Sequence, residues 1–175
     1  LNEHVGNNSV QIEVSDGKGG SEIQSFTINV KNVNDKPTIT SNPITNSQED
    51  NSYKYQVIVN DPDIGDNLTY ILLKNPDWLT INKDNGLISG IPENNDVGKA
   101  DIQIKVIDVS GASDIQAYVL TVLNTNDPPV ITSTPILQAV EDQEYKYQVK
   151  AEDIDIGDAI TFVLIKKPAW LGINN

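Results

Sequence analysis

The residues of this chain that could do chemistry are carboxylates, and they return at a fixed spacing. Asp35, Glu49, Asp50, Asp61, Asp63 and Asp66 recur 92 positions later as Asp127, Glu141, Asp142, Asp153, Asp155 and Asp158. Around them, Asn34–Lys83 and Asn126–Asn175 agree at 28 of 50 positions, and of seven carboxylates in the first stretch only Asp77 is lost, to Ala169. Asp16 stands 92 residues before Asp108 in the same way. Acids held more firmly than their surroundings point to a bound guest, and a divalent cation suits them best. Calcium takes about six to eight oxygens from carboxylates, amide carbonyls and water. Two adjacent acids cannot supply that number, so separate segments must converge. Three kinds of place offer candidates: the junctions Asn32–Pro37 and Asn124–Pro129, the loops Asp61-Pro62-Asp63 and Asp153-Ile154-Asp155, and the strand end at Asp108.

Other chemistries find little support. There is one histidine, His4, and no cysteine, so thiolate metal sites and disulfides are excluded. No glycine-rich phosphate loop or zinc spacing occurs. Asp61 and Asp63 could span the carboxylate separation of a glycosidase, but crowded acids around a cation are the simpler reading, and no enzyme activity is expected. The net charge is −13 and every one of the 12 basic residues is Lys, which argues against nucleic acid and against anionic membranes. No run approaches the length of a membrane span. The sequence starts at Leu1 and has no Met, as expected of a processed or excised piece of a longer protein.

The elements that must position these acids are short strands. Tyr53–Val57, Leu68–Tyr70, Ile102–Val106 and Tyr118–Val122 alternate apolar and polar residues, the pattern of half-buried strands. Trp78–Ile81 and Leu87–Ser89 are separated by Asp84-Asn85-Gly86, a hairpin signal. With Thr38–Ser41, about seven strands fall in each unit and no segment has helical periodicity, so the expected fold is an all-β, Greek-key β-sandwich. The period gives one complete unit, residues 34–125, with the C-terminal part of a unit at 1–33 and the N-terminal part of another at 126–175. The proline-bearing junctions are too short for flexible tethers, so consecutive units should stand end to end. In a sandwich, strand ends and junctions meet at one pole.

Taken together, these motifs resemble the dystroglycan-type cadherin-like, immunoglobulin-like repeats of large bacterial surface proteins. Asn-Asp-x-Pro at the junctions, Asp-x-Asp-x-Gly-Asp-x-Leu-Thr-Tyr at Asp61–Tyr70, Pro76–Leu79, Gly86–Pro92, Asp96–Gly98 and Val106–Gly111 carry the likeness. Cadherin repeats bind Ca²⁺ between successive domains, and the resemblance implies the same here. At the first junction the matching ligands are Asn32, Asn34 and Asp35 with Asp61, Asp63 and Asp108. At the second they are Glu49, Asn124, Asn126 and Asp127 with Asp153 and Asp155. Asn32 and Asn124 stand where many cadherins carry Asp, which makes each site less charged. The cadherin Leu-Asp-Arg-Glu motif is missing, and Asp96, near its place, faces His4 in the first unit.

Each feature also has a plainer reading. Junction Asn and Asp residues cap turns without metal, Asp66 and Asp158 could fix the turn at Gly65 and Gly157, and Asp50 and Asp142 read as exposed turn residues. Trp78 and Trp170 could stack on a sugar, which would make a carbohydrate-binding module, but after Pro at the head of an apolar run they read as core. The energetics favour the metal. Two like charges about 4 Å apart repel by about 4 kcal/mol at an effective dielectric near 20, and a bound cation reverses that sign. If Kd is about 0.1–1 mM, roughly 10 mM calcium adds about 1.4–2.7 kcal/mol per site. Sites so weak would fill only outside the cell. The expectation is therefore a calcium-stiffened spacer or adhesion module of a surface or secreted protein. Its partners would be neighbouring repeats and protein or polysaccharide ligands. Apolar strand edges in the two partial units also predict swapped, head-to-tail self-association of the fragment.

Overall fold

The computed structural model describes residues 2–174. Short extended segments prevail among them, with two three-residue 3₁₀ turns at Asn2–His4 and Asn94–Asp96. β1 (Gly6–Ser15) and β2 (Ser21–Val30) form an antiparallel hairpin. The next residues hold β3 (Thr38–Ile39), β4 (Asn46–Gln48), β5 (Tyr53–Gln56), β6 (Val59–Asn60) and β7 (Thr69–Lys74). They are followed by β8 (Thr80–Ile81), β9 (Leu87–Gly90), β10 (Gly98–Ile107) and β11 (Ser113–Leu123). β12 (Val130–Ile131) and β13 (Ala151–Glu152) make a last, short antiparallel pair.

Within 34–125 the sheet β4-β11-β10-β7 packs on β5-β9-β8, and the pair β3-β6 extends the sandwich. The seven strands read from the sequence become nine segments, because β4 lies beyond Thr38–Ser41 and β6 beyond Tyr53–Val57, and neither was read as a strand. Pro43, which has no N–H for a ladder, separates β3 from β4: β3 pairs with β6, whereas β4 runs parallel to β11. The tyrosine strand divides at Val57-Ile58. There the Val57 N–H reaches Gly86 O at 3.1 Å, and the Ile58 N–H reaches Ser41 Oγ at 2.9 Å.

Alternation fills the core. Ile102, Ile104 and Val106 of β10 and Leu120 of β11 meet Tyr53, Tyr55, Leu79 and Ile88 from the other sheet, all buried. Burying one such side chain contributes about 1.5–3 kcal/mol. The tyrosine hydroxyls find partners at the rim, Tyr53 on Ile44 O at 2.7 Å and Tyr55 on Gln116 Oε1 at 2.8 Å. Trp78 packs edge-on against Tyr53 with ring centroids 6.2 Å apart, as a core residue. The β8–β9 hairpin turns at Gly86, whose φ of +71° and contact with the Tyr70 ring leave no room for a side chain. Asn82 Oδ1 accepts the N–H groups of Asp84 and Asn85 inside that turn.

The repeat is visible in the flanking segments. β1 and β2 start 92 residues before β10 and β11 and share their register, Val10 opposite Phe26 as Ile102 is opposite Tyr118. Yet Ile12 and Val14 are 51% and 66% exposed where Ile104 and Val106 are buried. The covering sheet of the complete unit has no counterpart before β1 in this sequence. Likewise Tyr145 and Trp170 keep the 6.2 Å contact of Tyr53 and Trp78, but Trp170 is 67% exposed. Residues 145–149, equivalent to the tyrosine strand Tyr53–Val57, form no strand among the described residues, which include no equivalent of β9 for them to pair with.

Burial makes a direct prediction. Ile104→Ala should lower stability by about 2–5 kcal/mol, whereas Ile12→Ala, at the equivalent but exposed position, should change it by about 0.5 kcal/mol or less. Urea unfolding of both variants checks this. In Gly90→Ala the new Cβ would overlap the Trp78 carbonyl oxygen, so the variant should unfold at distinctly lower urea than wild type.

Candidate metal centre

The loop from β6 to β7 is folded on its own carboxylates. Asp61 Oδ1 accepts the Asp63 N–H at 3.0 Å, and the Asp66 N–H reaches Asp63 O at 3.3 Å across Gly65, whose φ is +96°. The equivalent loop repeats both contacts at 3.0 and 3.3 Å between Asp153, Asp155 and Asp158, with Gly157 at φ +103°. Each loop grips the junction before it: the Asp35 N–H donates to Asp63 Oδ2, and the Asp127 N–H to Asp155 Oδ2, both at 2.6 Å. Asp108, just after β10, turns the chain by accepting the N–H groups of Ser110 and Ala112 on Oδ1, both at 2.9 Å. Its Oδ2 receives the Asn34 amide at 2.9 Å, which ties the entrance of the unit to the end of β10.

Glu49 reaches the opposite pole for a topological reason. β4 runs parallel to β11, so both end together, and Glu49 follows β4 while the junction follows β11. The Glu49 N–H bonds Leu123 O at 3.1 Å and its Oε1 accepts the Thr125 N–H. The side chain is fully buried.

Three groups of carboxylates result. Asp61, Asp66 and Asp108 each turn an oxygen into one site, all within 4.8 Å of one another. Glu49, Asp127 and Asp155 do the same across the second junction, and Asp153, Asp155 and Asp158 within its loop. Glu49 Oε2, Asp61 Oδ2, Asp63 Oδ1, Asp66 Oδ2 and Asp155 Oδ1 are buried with no hydrogen-bond partner. Buried polar atoms are nearly always satisfied by protein, water or an ion, so the four orphaned oxygens in these groups fit a cation with hard oxygen preference; the fifth belongs to Asp63, a ligand expected from sequence that joins none of the three groups. Charge crowding is felt directly. Burial, then Asp61, Asp63 and Asp108, push the Asp66 carboxyl above its ordinary range. Asp108 is held below its own, chiefly by the Asn34 amide and, against the effect of burial, by the N–H groups of Ala112, Ser110 and Gly111.

Not every residue singled out from sequence joins these groups. Asn32 and Asn124 are exposed and make no side-chain hydrogen bond among the described residues. Asn34 serves Asp108, while Asn126 donates to Asp127 O at 3.0 Å. Asp35 is exposed and receives the Asn2 amide at 2.9 Å, and Asp127 receives the Asn94 amide at 2.8 Å. Asn2 and Asn94 were not foreseen as junction residues, although they too stand 92 apart. Asp66 and Asp158 enter the groups although sequence left them equally open to a turn role. Asp96 accepts the Glu93 N–H at 2.9 Å in a capping box. Asp50 and Asp142 are turn residues with φ near +60°.

Among solved structures the protocadherin GammaB4 extracellular domain is similar, with 23% identity and a TM-score of 0.59 over 87% of this chain and 29% of that one. Protocadherin Gamma B2 extracellular cadherin domains 1–5 are similar at 18% identity and a TM-score of 0.58, over 89% of this chain and 33% of that one. Both show a cadherin-like fold. The endo-fucoidan hydrolase MfFcnA4 of glycoside hydrolase family 107 aligns at 30% identity with a TM-score of 0.45, covering 71% of this chain and 20% of that one. The chain thus spans about a fifth to a third of the length of these structures. No curated protein matches it. The family model described as "Putative Ig domain" (He_PIG) matches residues 36–123, within the unit framed by the two junctions. That match covers half of the sequence, and the chain belongs to the He_PIG family of immunoglobulin-like domains.

Proposed function

We propose that this chain is a calcium-binding stretch of a tandem array, working as a spacer or adhesion element of a surface or secreted protein and performing no catalysis. The observation that carries this reading is Glu49, a fully buried carboxylate with one oxygen orphaned, facing Asp127 and Asp155 from beyond the junction. A fully buried acid that shares its site with two others is costly unless a cation neutralises them. All the donors are oxygen, which suits Ca²⁺; the remaining positions would fall to amide carbonyls and water. Asn34, Asn126, Asp35 and Asp127 belong to the same junctions, and Asn32 and Asn124 would reach an ion only by turning inward. With the metal in place, residues from both sides of the seam share one charge centre, and bending the seam would pull them off it. Weak sites of this type fill only at external calcium levels, hence the proposed place at the cell surface. Neighbouring repeats are the first partners, and the exposed apolar faces around Ile12, Val14 and Trp170 are read as surfaces that adjacent or swapped units cover.

A carbohydrate-binding role has less support: Trp78 packs half-buried on Tyr53 against the core, and although Trp170, expected as core, is 67% exposed, it keeps the same contact with Tyr145.

Thermal unfolding in calcium, magnesium and chelator tests the proposal. Roughly 10 mM calcium should add about 1.4–2.7 kcal/mol per site, a rise of about 3–10 °C for a chain of this size, and chelator should reverse it. Glu49→Gln should abolish much of the gain, because the charge is lost while an oxygen remains for the Thr125 N–H. A midpoint that calcium leaves unmoved would sink the reading.

A further inference from the structure

The hairpin β1–β2 is the equivalent of β10–β11 with the outer partners missing. In the complete unit β10 lies between β11 and β7, and β11 between β10 and β4. Among the described residues β1 and β2 pair only with each other, so each keeps a free edge. Free edges are templates for another strand. The inner face of the hairpin is apolar and open: Ile12 and Val14 are 51% and 66% exposed, Phe26 and Ile28 41% and 49%.

The segments that fit this hairpin are in the same sequence. The equivalent of β7 is residues 161–166 and that of β4 is residues 138–140, and neither forms a strand among the described residues. Side chains match in size across the seam. Ile104 opposite Leu72 and Val106 opposite Tyr70 become Ile12 opposite Leu164 and Val14 opposite Phe162.

A polar contact is split in the same way. In the complete unit Gln116 of β11 donates to Ser41 O at 2.7 Å and its Oε1 accepts the Tyr55 hydroxyl at 2.8 Å. Ser133 and Tyr147 already meet through their hydroxyls at 2.7 Å, as Ser41 and Tyr55 do. Their third member is Gln24, on the exposed hairpin. Where a hydroxyl is lost, none is left unanswered: Phe26 replaces Tyr118, and the Tyr145 hydroxyl is held by Ile136 O at 2.7 Å.

One chain cannot make this contact with itself. The Asn34 amide is tied to Asp108 at one end of the β10–β11 pair, and the Glu49 N–H to Leu123 O at the other. The hairpin and the C-terminal segment therefore leave residues 34–125 from opposite poles. The 10 residues of β10 hold those poles roughly 33 Å apart.

We infer that β1–β2 of one copy of this chain docks on residues 126–174 of a second copy, in the register that β10–β11 keep with β7 and β4. Residues 161–166 then run antiparallel to β1, and residues 138–140 parallel to β2. A second copy is thus the partner of the open faces, a step that rests on the array reading above and needs no metal. The contact is heterologous, so it propagates head to tail unless its rotation closes a ring. With no equivalent of β9 among the described residues, the joint lacks one strand of its covering sheet and forms and dissolves with concentration.

Sedimentation velocity of the full chain in chelator, from micromolar to millimolar concentration, tests this. Wild type should pass from monomer to a ladder of dimers and longer species. Ile12→Asp, placed outside residues 34–125, should stay monomeric and keep the wild-type urea midpoint when both are dilute. Because the chain has no Cys, disulfides can read the register. Glu13 and Val163 are the exposed equivalents of the paired Lys105 and Ile71. Glu13→Cys mixed with Val163→Cys should give a covalent dimer in a redox buffer, and neither variant should do so alone. Wild type monomeric throughout, Ile12→Asp associating as wild type does, or Glu13→Cys linking to itself, the mark of two β1 edges paired, each overturns the inference. Association in chelator by a chain whose melting midpoint calcium leaves unmoved supports this contact and sinks the metal reading alone.

Discussion

The parallel ladder between β4 and β11 governs where charge gathers in this molecule. Its three residue pairs, Asn46 with Thr121 through Gln48 with Leu123, make the beginning of the unit and its end leave the sheet side by side. An antiparallel arrangement would have sent Glu49 to the far pole, beside Asp108. Instead it is driven under the exit of β11, buried, and bonded to the backbone of Thr125. The switch near Pro43 that frees β4 from the β3–β6 pair is thus the local cause of a long-range result.

The other pole is organised by one backbone and one side-chain donor from the incoming junction. Asp63 accepts the Asp35 N–H and Asp108 accepts the Asn34 amide, so the incoming chain is stitched to both the loop and the end of β10. Those bonds use one oxygen of Asp63 and leave the other facing inward. A carboxylate with one oxygen committed and the other orphaned is a poor ending for a fold but a good beginning for a coordination sphere. The opposite shifts of Asp66 and Asp108 express the same division: Asp108 is stabilised as an anion by its donors, and Asp66, with none, is raised by burial and its acidic neighbours.

The sandwich makes this possible by being indifferent to its poles. Ile102, Ile104, Val106 and Leu120 close against Tyr53, Tyr55, Leu79 and Ile88 whatever happens at the loops. The tyrosines carry their hydroxyls to Ile44 O and Gln116, so even the rim is satisfied without metal. The loop acids can then be held in mutual repulsion that a less complete core would not tolerate.

Much of this was legible in residue order. Period-two alternation marks the strands because side chains alternate between sheet faces, and Asn85-Gly86 marks the hairpin because Gly86 must take a positive φ. The 92-residue period marked the acids, since like positions in like units share an environment. What sequence could not decide was contact between distant segments. The two additional strands β4 and β6, the pairing of Asn94 with Asp127, and the exposure of Asn32 and Asn124 depend on where each strand ends in space. Asp66 is the sharpest case. In one dimension an Asp after Gly is equally a turn former or a ligand; only the folded backbone shows that its side chain takes no N–H among the described residues and lies beside Asp61 and Asp108.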